Sequence, residues 1–176
     1  FTALTPAQLN LLSPTAGAGA DVTDITTDQA AALTPVQAKG LSSAFIRGLT
    51  TVDVAMLTPE AISAISPKAF AGVVANLAGS LTGTLGTSIG GLTVDNGIGV
   101  TSAQLAALTS TQVSAIGANF VYLSPDAMAS LTKSNIAGLN VANTTSEQIA
   151  ALKPAQIQLL PTGAVASLTS EDGIAV

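Results

Sequence analysis

One pentapeptide in this chain has the outline of a catalytic motif. Gly86-Thr87-Ser88-Ile89-Gly90 matches Gly-x-Ser-x-Gly, the turn that presents a nucleophilic serine above a sheet. That chemistry needs a base within hydrogen-bond reach of the hydroxyl, and the chain contains no histidine. A serine–lysine arrangement would need a lysine such as Lys68 buried beside Ser88, and nothing around either residue predicts it. The pentapeptide reads as a chance match, and no catalytic residue is expected.

Metal chemistry has equally little to work with. Without His or Cys only carboxylate sites remain, which would suit Ca²⁺ or Mg²⁺. Asp21 and Asp24 are close in sequence, as are Glu171 and Asp172, and Asp95-Asn96-Gly97 resembles part of a calcium turn. None supplies the alternating run of oxygen ligands that a tight loop site needs. Helix N-terminal charge and turn preferences account for these residues, so neither a metal ligand nor a cofactor-binding residue is expected. Asn143-Thr144-Thr145 is the one N-glycosylation triplet, and it has meaning only in a secreted eukaryotic protein. With no phosphate-cradling loop and no paired-carboxylate constellation, an enzyme is not expected.

Composition narrows the classes further. Charged residues make up 9 % of the 176, about a third of the usual share, and the net charge is −5. The five cations, Lys39, Arg47, Lys68, Lys133 and Lys153, are dispersed. Nucleic acids and anionic membrane surfaces both demand basic clusters, so neither is an expected partner. Residues 69–94 carry no charge and include Gly79-x-x-x-Gly83 and Gly86-x-x-x-Gly90, the spacing of packed membrane helices. Asn76 and six Ser or Thr residues interrupt that stretch, and no membrane span is expected from it. The chain opens without Met and is already repetitive at Leu4, as an excised segment or a processed chain would be.

What organises the chain is an eight-residue repeat, Leu-Thr-Pro-x-Gln-(Ile/Leu)-x-Ala. It shows as Leu4-Thr5-Pro6-Ala7-Gln8-Leu9 and again as Leu33-Thr34-Pro35-Val36-Gln37-Ala38. The first position runs from Ile25 through Leu33, Leu41, Leu49, Leu57 and Ile65, with Val73 and Leu81 as weaker members. It resumes at Leu92, Val100, Leu108 and Ile116, slips by one to Leu123 and Leu131, and resets to Leu152, Leu160 and Leu168. A fixed short period marks a repeat array.

Neither a continuous helix nor a strand fits this period. A helix through several octads would hold Pro6, Pro35, Pro59, Pro67, Pro125 and Pro154 in its interior, at about 3 kcal/mol each. A new helix in every octad removes the conflict. Position two, Thr or Ser, becomes the N-cap; position three, often Pro, becomes N1; and position five, often Gln, becomes N3 of a capping box. Thr26 with Gln29, Thr50 with Asp53, Thr101 with Gln104, Thr109 with Gln112 and Thr145 with Gln148 are such pairs. Positions one and six then form hydrophobic staples, as in Leu57 with Ile62, Ile65 with Phe70, Leu108 with Val113, Leu123 with Met128 and Leu152 with Ile157. Position eight is usually small (Gly40, Gly48, Ala64, Gly72, Ala107, Ala115, Gly138) and is expected inside, at a tight exit.

Helices of five or six residues are unstable alone, so each octad must bury its apolar face on others. The expected fold is an all-α solenoid of very short capped helices, with a β-solenoid as the alternative. Regular Pro disfavours that alternative because it removes ladder donors. Residues 1–176 are expected to form one elongated repeat domain, with register breaks near 13–24, 85–99 and 140–143. At the second break, Leu92-Thr93-Val94 and Asp95-Asn96-Gly97-Ile98 form either a small hairpin or a displaced octad.

Thr101-Ser-Ala-Gln-Leu-Ala-Ala-Leu108 and Thr109-Ser-Thr-Gln-Val-Ser-Ala-Ile116 resemble the Leu-Thr-x-x-Gln-(Ile/Val)-x-Ala repeats of large secreted bacterial surface and adhesin-like proteins. The resemblance covers roughly four-fifths of the chain and implies an extracellular structural protein of stalks, fibres or biofilm contacts. The segment from Leu57 to Phe70 is also similar to the superhelical repeats of the mesothelin and stereocilin family, extracellular structural or adhesive proteins, although this chain lacks their cysteines. The expected function is a building block of an extracellular fibre or surface adhesin. Its expected partners are neighbouring repeats or copies of itself, joined end to end. The alternative is an adhesion module that grips a glycan or host protein through its lateral surface.

Overall fold

The computed structural model describes residues 1–12, 22–72 and 97–161. Over them the chain is all-α, and no strand occurs among the described residues. The helices are α1 (Pro6–Leu9), α2 (Thr27–Ala31), α3 (Pro35–Lys39), α4 (Ser43–Gly48), α5 (Thr51–Met56), α6 (Pro59–Ala64) and α7 (Pro67–Gly72). They continue as α8 (Ser102–Ala106), α9 (Ser110–Ile116), α10 (Pro125–Met128), α11 (Ser146–Ala150) and α12 (Pro154–Ile157). Each is four to seven residues long, one helix per octad.

The caps start these helices as the octad dictates. Thr5, Thr26, Thr34, Ser42, Thr50, Thr58, Thr101, Thr109, Ser124 and Thr145 each accept a hydrogen bond from the N–H at N3. All five expected capping boxes form, joined by Thr5 with Gln8 and Thr34 with Gln37. At α12 only half a box forms: Lys153 N donates to Gln156 Oε1 at 2.6 Å, but an ammonium has no lone pair to return.

Helix ends differ from the expectation. Among the described residues only Gly117 has positive φ, so left-handed glycine exits are not the rule. The chain leaves a helix through a bond from the position-one N–H to the position-six carbonyl. Leu41 N to Ala38 O, Leu57 N to Val54 O and Ile65 N to Ile62 O are examples, all at 3.2 Å.

The residues behind the staples sit in one apolar core running from Leu9 to Leu160. Position eight corrects the sequence reading in part: Gly48 is buried and Ala64, Ala115 and Gly138 are half-buried, but Gly40 and Ala107 are exposed. Position five takes its place inside, whether as Gln37, Phe45, Asp53, Ala61, Ala69, Gln104 or Ala127. Positions five and six are consecutive, so the inward arc is centred between them. At about 100° per residue, position eight falls roughly 110° from that centre.

Helices pack on partners three octads away. Helix α2 lies on α5, α3 on α6 and α4 on α7, forming two three-helix layers in contact. Further on, α8 lies on α7, α10 on α8, and α11 on α10, while the turn at Ile136–Gly138 lies on α9. Backbones meet directly where glycine permits it. A Cβ on Gly138 would collide with the Ser110 carbonyl, and one on Gly99 with that of Pro59.

The irregular octads are 3₁₀ turns. Gly97–Gly99 is one, so the described end of the segment read as a hairpin or a displaced octad is not strand, and 92–96 lie outside the described residues. The one-residue slip before Leu123 is a 3₁₀ run, Gly117–Tyr122, in which Phe120 fills the core at 0 % exposure. The third break is the turn Val141–Asn143, where Asn140 Oδ1 accepts from Ala142 N at 3.1 Å.

Gly117 makes that slip possible with φ 58° and ψ −133°, a region essentially closed to side chains. A Cβ there would touch nothing within 4 Å, so any substitution cost is backbone strain alone. Gly117→Ala is expected to destabilise by about 1–3 kcal/mol in denaturant unfolding. Gly117→Asn should be no better, because this ψ lies outside the left-handed helical basin that Asn tolerates. A neutral Gly117→Ala would refute the strained turn.

Candidate functional site

Of the residues singled out for chemistry, Lys68, Asp24 and Gly97 fall among the described residues. Ser88 and its flanking Gly86 and Gly90, Asp21, Asp95, Asn96, Glu171 and Asp172 all lie outside the described residues. Lys68 is exposed at the second position of α7, and Asp24 is exposed. Gly97 is buried, with its open side 2.6 Å from Tyr122 Cβ as measured from an ideal Cβ. Among the described residues no three His, Cys, Asp or Glu side chains cluster as metal ligands would, and no helix is long and apolar enough to cross a membrane. Asn143 is half-buried, and Thr145 of its glycosylation triplet caps α11.

An open groove of about 370 Å³ runs between α6, the start of α8 and the cap of α10. Its hydroxyls already have structural duties. Ser63 Oγ donates to Glu60 O at 3.0 Å, and Ser102 Oγ to Asp126 O at 3.1 Å. Thr101 and Ser124 cap their own helices. Glu60 contributes a carboxylate at the exposed second position of α6. The groove pairs no nucleophile with a base.

The dominant polar constellation is instead a series of side-chain amides at N3. Gln148 Oε1 accepts from Thr145 N at 3.0 Å, completing its own capping box. Its Nε2 donates across to Phe120 O at 2.7 Å and Leu123 O at 2.6 Å, the exit just before α10. Gln104 repeats this toward Ile62 O and Ile65 O, both at 2.7 Å. Gln156 reaches Ala129 O and Leu131 O, and Gln112 reaches Ala71 O. Gln37 reaches Leu4 O at 2.7 Å and Phe1 O at 3.2 Å. One side chain thus serves the orphan N–H groups at its own helix start and the orphan carbonyls of a helix exit in the adjoining layer.

Asn135 does the same with a shorter arm. Its Oδ1 accepts from Thr132 N at 2.7 Å, and its Nδ2 donates to Leu105 O and Leu108 O at 3.0 and 3.1 Å, at 0 % exposure. Asn10 is a further clamp: Nδ2 donates to Gly40 O, and Oδ1 accepts from Ser42 N. Capping-box reasoning locates the Gln positions but not their outward reach, and it misses Asn135 and Asn10. One signal was available. A capping box accepts Glu as readily as Gln, yet apart from Asp53 the acids of these helices occupy the exposed second position (Asp28, Glu60, Asp126, Glu147) while the other boxes take Gln at N3. Gln in place of Glu keeps an N–H₂ that can donate, and Gln37, Gln104, Gln112, Gln148 and Gln156 use it.

Comparison with protein-family models, curated proteins and solved structures finds no match for this chain.

If the amide bridges join the layers, Gln148→Glu should be severe. It keeps the oxygen for Thr145 N but sets a carboxylate against two buried carbonyls. We expect a loss of about 2–5 kcal/mol in chemical denaturation. Thr145→Val, which removes only the cap hydroxyl, should lose about 1 kcal/mol. Equal losses would reduce Gln148 to a local cap.

Proposed function

We propose that this chain is a structural repeat protein, an all-α solenoid whose layers of short helices form one elongated body. On this reading it is a building block of an extracellular fibre or surface adhesin, and copies associate end to end. The observation that carries the reading is the directionality of the layer contact. From α8 onward the bridged layers give amide N–H groups to the preceding neighbour and offer exit carbonyls to the following one, as Asn135 does below and Leu131 above. Such a contact is heterologous, and a heterologous contact that does not close propagates into a filament.

Surface chemistry supports the same reading. Sparse charge leaves little repulsion between copies. Few Lys, Arg and exposed aromatic residues leave few sites for common proteases, which suits a location outside the cell. The lateral-adhesin alternative would need an exposed aromatic platform for a glycan. Phe45, Phe70 and Phe120 are buried in the core, and Phe1 and Tyr122 are half-buried. What favours the alternative is the open groove beside Glu60.

Negative-stain microscopy with light scattering over a concentration series tests the assembly. Rods or filaments that lengthen with concentration are expected. A particle that stays monomeric throughout and binds selectively on a glycan array would overturn the fibre reading in favour of the adhesion module.

A further inference from the structure

The bridging amides are unevenly distributed over the layers. Gln37 joins α3 to the residues before α1, and Gln104 and Gln112 join α8 and α9 to the exits of α6 and α7. Asn135 joins its turn to the exit of α8, and Gln148 and Gln156 join α11 and α12 to the layer holding α10. Between α2–α4 and α5–α7 the N3 residues are Asp53, Ala61 and Ala69. Alanine has no donor, and a carboxylate only accepts. The Asp53 carboxylate accepts from Thr50 N at 2.9 Å and from Thr50 Oγ1 at 2.7 Å, both within its own helix cap.

We propose that the contact between α2–α4 and α5–α7 is a built-in parting plane, the place where the stack opens first. The three N3 residues there are at most 3 % exposed, yet none of them carries an amide that could cross the contact. The helices facing each other there bury Phe45, Ile46 and Phe70, and apolar burial of this kind is non-directional, so it resists sliding and parting without fixed partners. The amide-bridged contacts add directional bonds whose rupture strands buried carbonyls. Once the plane opens, α2–α4 lose the surface that holds helices this short together and melt as a unit. The device gives the chain a reversible extension confined to one layer. It stands whether or not copies form fibres.

Native-state hydrogen exchange on the whole chain tests this, with two isosteric substitutions. In the unaltered protein, the N–H groups of Ala30, Ala38 and Ile46 should exchange at least about tenfold faster than those of Leu105, Val113 and Ile149. Asp53→Asn supplies the N–H₂ that Asn135 uses at the equivalent place, and it should slow α2–α4 by about tenfold. Asn135→Asp should transfer fast exchange to the turn at Thr132–Gly138. Uniform protection across the layers, or rates in α2–α4 unmoved by Asp53→Asn in a fully helical variant, would overturn the proposal. Fraying near the chain terminus would not respond to Asp53→Asn, and if Asn135→Asp fails to fold, Asp53→Asn decides alone.

Discussion

The fold depends on the primary amide at N3. A helix of five residues leaves nearly all its N–H and C=O groups without intrahelical partners, so a protein built of such helices is mostly helix ends. Water cannot serve those ends where layers touch, and an unserved buried carbonyl costs about 1–3 kcal/mol. Gln104, Gln148 and Asn135 meet the demand from both sides, each with one acceptor for a helix start and two donors for an exit. Fixing a Gln side chain costs up to about 2 kcal/mol of rotamer entropy, and three hydrogen bonds contribute about 1 kcal/mol each. The net gain per bridge is small. The larger effect is discrimination, because any other layer register leaves carbonyls stranded.

The rest of the octad follows from that constraint. Once position five must face the adjoining layer, position six faces the core beside it and position one closes the exit. The N2 site is left to solvent in most octads, even where it is apolar as at Val36 and Val52. Four acids, Asp28, Glu60, Asp126 and Glu147, then sit on the outside of the first turn, while Lys39 and Arg47 lie in last turns and Asp53 takes the buried N3 site. Small residues are needed only where backbones meet, as at Gly138 against Ser110 and Gly99 against Pro59.

Much of this was legible in the sequence because it is local. The Thr–Pro start, the capping boxes and the staples act within one octad, and the helices form where those signals place them. The misplacement of position eight came from assuming that a small residue marks a buried exit. The true interior is fixed by which consecutive pair faces inward, and that is a property of the layers. The bridges themselves were not legible because their partners lie 25 to 42 residues away, as with Gln148 to Leu123 and Gln104 to Ile62. Nothing in an isolated capping box says whether its N–H₂ meets water or a carbonyl. The candidate chemical residues carried no comparable pattern: Lys68 and Asp24 are exposed, and hydroxyls such as Ser124 are spent on caps.

The most direct measurement of the central claim is the exchange rate of the side-chain amide protons, read by NMR on the isotope-labelled protein. Gln158 is exposed and supplies the reference rate. The N–H₂ protons of Gln104, Gln148 and Asn135 should exchange at least about a hundredfold more slowly than those of Gln158. Rates matching Gln158 at all three would mean that these amides face water, and that the layers are held by apolar contact alone.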